Sequence, residues 1–156
     1  MLSGFLAGLG LVGCDAISLK ELKPGVSNGY EVRERMGQPT MEWKNVDGTL
    51  TWEFPRGPEG IVTYMIVIGP DNILREIRQV LTDENFARIE KGLTKEQVRR
   101  LVGKPARMTT FALKNEEVWD WKYQGEGRPN TMEFFHVHFD PDGKVIHTSR
   151  TMVPAG

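Results

Sequence analysis

The sequence repeats itself, and this duplication constrains the fold more than any other feature. Three pairs of segments match in the same order: 24–27 and 36–39 with 91–94 and 102–105, then 52–54 with 121–123, then 66–72 with 137–143. The offset grows from 66 (Gly37 to Gly103) to 71 (Asp71 to Asp142), as loop insertions would cause. Ordered self-similarity of this kind indicates two tandem copies of one supersecondary unit.

Each copy is predicted to hold a capped helix. Ser27 and Thr94 are residue types whose hydroxyl caps a helix N-terminus, and Gln97 completes a capping box with Thr94. Apolar residues then recur at helical spacing up to Gly103, where glycine and the following proline end the helix. We expect a shorter helix before each capped one, around residues 19–23 and 83–91.

Alternating apolar residues predict strands after each helix. Leu50, Trp52 and Phe54 alternate with polar residues, and so do Trp119, Trp121 and Tyr123. Two further strands, each followed by a proline-containing turn and a hairpin partner, are predicted at 62–68 with 73–80 and at 133–139 with 144–152. The predicted fold is α+β: two tandem helix-helix-three-strand units, with antiparallel sheets and helices on one face. Trp52 and Trp121 are expected in the core.

The N-terminal stretch is typical of an export signal. Residues 1–13 are uncharged and apolar, too short to span a bilayer, and end at the single cysteine, Cys14. Leu11-Val12-Gly13-Cys14 resembles the bacterial lipobox, which implies cleavage before Cys14 and acyl chains on it. No Lys or Arg precedes Cys14, so either the start codon lies upstream or these residues form an apolar element that buries the cysteine. The predicted division is a leader at 1–13, a lipidated tether at 14–18, and units at 19–81 and 82–156.

Composition excludes several classes of function. The net charge of −1 argues against nucleic-acid binding, and one cysteine permits neither a disulfide nor a cysteine zinc site. His136 and His138 share one strand face, but His147 faces them in only one of two registers, so we expect no metal and no cofactor. Glu116 and Glu117 are placed in a loop, and there is no nucleophile elbow or phosphate loop. The chain is therefore predicted not to be an enzyme.

The second unit resembles a known family. Gly92-Leu93-Thr94, Val102-Gly103-Lys104-Pro105, Trp121-x-Tyr123 and the run from Phe135 to Val145 are similar to the SmpA/OmlA (BamE-like) outer membrane lipoproteins. The resemblance covers residues 82–146 well and 19–74 more weakly. It implies helices on one side of a sheet, no enzymatic activity, and a scaffolding role with partners in outer-membrane barrel assembly. The tandem form resembles the β-lactamase-inhibitor-like arrangement, whose strands make one long curved sheet.

Six residues are predicted to bind a protein partner. If Tyr64, Ile66 and Ile68 point inward, the side chains of Met65 and Val67 point out, as do those of the histidines in the second unit. Tryptophans outside the clean repeat are candidates because tryptophan is enriched in binding hot spots. The set is Trp43, Met65, Val67, Trp119, His136 and His138. The alternative function is an inhibitor that binds an enzyme on its concave sheet.

The predicted location is the periplasmic face of the outer membrane. The lipobox places the body outside the cytoplasm, held to a membrane by Cys14. Asp15 resembles the signal that retains lipoproteins in the inner membrane of enteric bacteria, so the inner membrane stays open.

Overall fold

The computed structural model describes residues 18–56, 60–128 and 130–153, so the predicted leader and Cys14 lie outside the described residues. Within these residues, after a helical turn at 18–21, the first unit shows one further helix and four strands, and the second shows two α-helices, one 3-10 turn and four strands. Their bounds are α1 Gly29–Met36, β1 Met41–Lys44, β2 Leu50–Pro55, β3 Thr63–Ile68, β4 Leu74–Gln79, α2 Asp83–Ala87, α3 Lys95–Val102, β5 Arg107–Phe111, the 3-10 turn Ala112–Lys114, β6 Glu116–Gln124, β7 Met132–Phe139 and β8 Val145–Met152.

The two main helices start in the same way. Thr94 and Gln97 form the predicted capping box of α3. The cap of α1 is Asn28, whose side chain accepts from two backbone N–H groups, while the Asn28 N–H donates to the Glu31 carboxylate. The prediction that Ser27 caps this helix is wrong. Its hydroxyl accepts instead from the Lys23 N–H, because Ser27 lies one residue outside the cap.

The α+β class and the two tandem units are confirmed. Each sheet is antiparallel, in the orders β1-β2-β3-β4 and β5-β6-β7-β8. Each therefore has one strand more than the three predicted. The extra strands are β1, whose alternation extends over only four residues, and β5, which is mostly exposed and has no regular apolar alternation. The two sheets share no hydrogen-bonded strand pair among the described residues, so they do not form the one long sheet that the resemblance implied.

Each unit has its own apolar core. In the first unit, α1 packs with Val32 and Met36 on the sheet face that carries Trp52 and Phe54. In the second, Phe86 of α2 lies against several aromatic rings of the sheet, with its ring centroid 4.3 Å from that of Phe135. Burial of apolar surface of this kind is the main stabilising contribution to folding. No helix in the described part of the chain is long and apolar enough to cross a membrane.

Backbone hydrogen bonds fix how the two units correspond. The Thr40 N–H donates to the Glu53 carbonyl, and the Ala106 N–H donates to the Asp120 carbonyl. Glu53 pairs with Met65 across the sheet, and Asp120 pairs with His136. The structural equivalent of Trp52 is thus Trp119, and the sequence match of Trp52 with Trp121 is wrong by two residues.

Candidate partner-binding face

The outer face of the first sheet is covered by the second unit. Glu53 lies on this face, is fully buried, and accepts from the Arg99 side chain of α3 through both carboxylate oxygens, at 3.1 and 3.3 Å. The Thr40 hydroxyl donates to the same carboxylate at 2.9 Å. A buried carboxylate needs such partners, because desolvation of an unpaired charge is costly. We call this contact, with Gly103 and its neighbours, the inter-unit joint.

Gly103 lets the end of α3 approach the first sheet closely. A Cβ atom on Gly103 would lie 2.7 Å from the Thr63 Cγ2 atom and 3.5 Å from the Met65 Cε atom. Its φ of +77° also favours glycine. Arg100 extends the joint by lying over the Trp43 ring, 4.6 Å from the ring centroid. Arg99, Arg100 and Gly103 of the second unit thus occupy the face that the alternation pattern left open.

The structure changes the status of four predicted partner-binding residues. Met65 does point away from the first core, but it is 1% exposed, so its assignment to an open face is wrong. Trp43 is partly buried, and its ring contacts the Arg99 and Arg100 side chains of the second unit. Trp119 is buried in the second core against Trp121 and Phe139, because it takes the place that Trp52 has in the first unit. Val67 is partly buried beside Met65.

The outer face of the second sheet has no such cover within the described residues, and we call it the open face. Its centre is Asp120, whose side chain is only 4% exposed. The Arg107 side chain donates to Asp120 Oδ2 at 2.8 Å, and His136 Nδ1 lies 2.6 Å from Oδ1. In the first unit the equivalent carboxylate is neutralised across the joint; here β5 and β7 supply the partners.

A second histidine is held in the same way. His138 Nδ1 lies 3.0 Å from Glu116 Oε2, and its Nε2 lies 3.4 Å from the Ser149 hydroxyl. The hydrogen bond from His138 lowers the pKa of the Glu116 carboxyl. The ring of His138 also stacks on that of His147, with centroids 3.9 Å apart. Glu116 and Glu117 are the first two residues of β6, so the prediction that they lie in a loop is wrong.

The histidines connect three strands through their side chains. His136 Nδ1 faces Asp120, and its Nε2 lies 2.8 Å from the Thr151 hydroxyl. Carboxylate, imidazole and hydroxyl in this order resemble a nucleophilic triad. The contacts of this network order the side chains of the open face.

The open face is concave. Its groove encloses about 450 Å³. Its lining combines one charged pair with hydroxyls, imidazoles and two apolar side chains. These residues are Arg107, Thr109, Phe111, Val118, Asp120, His136, His138, Ser149 and Thr151. Among the described residues no group of three or more His, Cys, Asp or Glu side chains is placed to hold a metal ion. Mixed polar and aromatic lining of this kind is typical of protein interfaces.

Sequence reasoning identified His136 and His138 but missed Asp120, Arg107 and the two hydroxyls. The missing information was register. Trp52 lies 13 residues after Pro39, and Trp119 lies 14 residues after Pro105, whereas Trp121 lies 16 after it. This spacing favours Trp119 as the equivalent of Trp52 and so places Asp120 opposite Glu53. The pairing of Asp120 with His136 then needs the β6–β7 register, which no local pattern reveals.

The fold defines a class: a tandem α+β repeat protein whose second unit carries an open sheet face. Residues 79–149 match the family model described as the outer membrane protein assembly factor BamE domain. The second unit is therefore similar to the BamE domain, and the family resemblance is confirmed for this part of the chain. No curated protein matches the chain in sequence.

Three solved structures give weak global matches. An osmotically inducible lipoprotein, OsmE, is 24% identical over 45% of this chain and 72% of its own, with a TM-score of 0.38. A Streptococcus mutans protein described as a β-lactamase inhibitor is 10% identical over 87% and 94%, with a TM-score of 0.34. A DUF4309 family protein, YjgB, from Bacillus subtilis is 17% identical over 90% and 93%, with a TM-score of 0.33. At these TM-scores the three similarities carry no functional argument.

Proposed function

We propose that this chain is a non-catalytic, lipid-anchored module of the cell envelope that binds partner proteins with the open face. The observation that carries the proposal is the asymmetry between the two sheets. The outer face of the first is occupied by the joint, and the equivalent face of the second is ordered, concave and uncovered in the described chain. The match of residues 79–149 to a barrel-assembly domain supports partners among the proteins that assemble outer-membrane barrels.

The ordered side chains of the open face support a binding role. The imidazoles of His136 and His138 are fixed by a carboxylate on one side and a hydroxyl on the other, so a partner would order few side chains on docking. Binding to an already ordered surface avoids part of the entropy cost of association. The aromatic ring of Phe111, almost half exposed at the rim, offers an apolar contact.

The test of the open face is a pull-down from detergent-solubilised envelopes. We expect barrel-assembly subunits to co-purify with the wild-type protein and to be lost when both His136→Ala and His138→Ala are introduced. Arg88→Ala is the matched control, because Arg88 is an exposed side chain on the helical side of the same unit. An unchanged partner set in the double variant contradicts the proposal. Recovery of a hydrolase instead of assembly subunits would favour the inhibitor function.

The anchor is tested separately. Lipidation of Cys14 is proposed from the sequence motif, together with a location at the periplasmic face of the outer membrane. We expect mass spectrometry of the outer-membrane fraction to find a mature N-terminal peptide that starts at Cys14 and carries acyl mass. Cys14→Ala should release the protein from membranes, because several acyl chains are what make such anchoring stable. Recovery of an unmodified Cys14 with residues 1–13 attached contradicts this part.

A further inference from the structure

All three histidines of the chain lie on the open face. His136 and His138 occupy alternate positions of β7, and His147 of β8 stands directly opposite His138 in the strand pairing. Histidine is the side-chain type whose charge ordinarily changes between pH 5 and 8. A fall in pH through this range therefore adds positive charge to the open face, and no histidine elsewhere in the chain responds.

The three imidazoles differ in what neutralises them. His136 faces Asp120 at 2.6 Å and His138 faces Glu116 at 3.0 Å, so a proton taken up by either ring gains a carboxylate partner. Among the described residues no carboxylate lies within ion-pair distance of His147, whose ring is stacked on that of His138 with centroids 3.9 Å apart. We call this pair the histidine stack. Protonation of both rings places two like charges side by side, which is unfavourable without a further anion.

The fixed charges of the open face do not supply that anion. Apart from the histidines, the charged residues on this side of the sheet are Arg107, Lys114, Glu116, Asp120 and Lys122. Both carboxylates are already in use, because Asp120 is shared between Arg107 and His136, and Glu116 is paired with His138. Protonation of the histidine stack thus leaves an excess of positive charge that a carboxylate from another molecule can neutralise.

We propose that the histidine stack binds an acidic segment of a partner protein, and that binding becomes tighter as the pH falls from about 7.5 to about 5.5. The inference rests on the proposed function, that the open face binds proteins, and adds the chemistry of the partner and the control by pH. A partner carboxylate beside the stack relieves the repulsion between its protonated rings, so the segment and the protons favour each other's binding. Val118 lines the groove and Phe111 stands at its rim, so apolar residues within the segment also find contacts.

The size of the effect follows from the coupling between proton uptake and binding. A nearby opposite charge shifts the pKa of an ionisable group by about one unit or more. For a histidine with the ordinary pKa of about 6.5, a shift of this size on binding strengthens the complex about fivefold between pH 7.5 and pH 5.5. Glutamate has an ordinary pKa of about 4.3 and stays ionised over this range, so the change comes from the imidazoles.

The experiment measures binding of a labelled peptide, in which glutamate and glycine alternate around a central leucine, to the full-length protein at both pH values. The control peptide has glutamine in place of each glutamate. We expect the acidic peptide to bind about fivefold more tightly at the lower pH, and the control peptide to change less than about twofold.

Two variants locate the effect. His147→Gln, at an exposed position, should reduce the change for the acidic peptide to less than about twofold. His136→Gln should keep the change, because His136 faces Asp120 and is not part of the stack. Thermal unfolding at both pH values verifies that the two variants fold.

NMR of the imidazole ring protons gives a second readout. Adding the acidic peptide at pH 7 should increase the protonated fraction of His138 and His147 and leave that of His136 unchanged, because binding and proton uptake are reciprocal. Equal affinity at both pH values, an equal change in His147→Gln, or an equal change with the glutamine peptide overturns the inference. Binding of anionic lipid vesicles in place of the acidic peptide overturns it as well. If envelope partners depend on the open face but bind equally at both pH values, the proposed function stands and this inference alone is refuted.

Discussion

Breaking the inter-unit joint should destabilise the protein in a way that depends on which partner is removed. Arg99→Met leaves the Glu53 carboxylate, which is 0% exposed, with the Thr40 hydroxyl as its remaining side-chain donor. Removing one partner of a fully buried pair costs about 3–5 kcal/mol, so we expect about 3 kcal/mol here. Glu53→Gln leaves Arg99, whose side chain is 24% exposed and can regain water, so about 1–2 kcal/mol is expected.

The double variant measures the interaction itself. With Glu53→Gln and Arg99→Met combined, no uncompensated charge remains, so the loss should be smaller than the sum of the single losses by about 1–2 kcal/mol. Urea unfolding gives these free energies, and for a chain of this length each kcal/mol corresponds to about 2–4 °C in Tm. If Arg99→Met costs no more than Glu53→Gln, or if the two losses simply add, the joint does not bury this carboxylate as described.

Two further predictions address the joint and the pH dependence of stability. Gly103→Ala should cost about 2–4 kcal/mol of stability, because the new Cβ would lie 2.7 Å from Thr63 and the φ is positive. Gly37→Ala has a similar φ but open space around it, so it should cost about 1–2 kcal/mol. Equal losses in urea unfolding would contradict the close contact at Gly103. The hydrogen bond from Lys95 lowers the pKa of Glu117, so Glu117 stabilises the fold above its unfolded pKa of about 4.3 and loses this effect as pH falls through the lowered folded value. When the free energy of unfolding is measured from pH 7 to pH 3, Glu117→Gln should therefore lose less stability on acidification than the wild-type protein. An unchanged profile would refute the stabilising role of the ionised Glu117.

Local signals in the sequence predicted most of each unit. Thr94 and Gln97 mark the start of α3, Gly103 marks its end, and alternation marks the central strands, because each of these patterns acts within a few residues. β5 escaped prediction because Arg107–Phe111 is an exposed edge strand with no apolar face. Such strands form by pairing with a neighbour, and their own sequence carries little information about it.

The candidate site was only partly predictable because it depends on contacts between distant segments. Alternation gave the outward direction of Met65 and of His136 alike. It could not show that α3 of the second unit covers the first and leaves the second uncovered. The buried position of Glu53 has no signal in its neighbours, since a glutamate within a strand normally predicts a solvated face. The sequence separation of 46 residues between Glu53 and Arg99 puts their pairing beyond any local pattern.

Thiol labelling at two equivalent positions tests the central claim, that one sheet face is covered and the other open. Met65→Cys and His136→Cys occupy matching places in the two units and are compared in a Cys14→Ser background. The purified His136→Cys protein should react faster than the Met65→Cys protein, which should stay unreactive until it unfolds. Similar labelling rates at both positions in the folded protein would contradict the account.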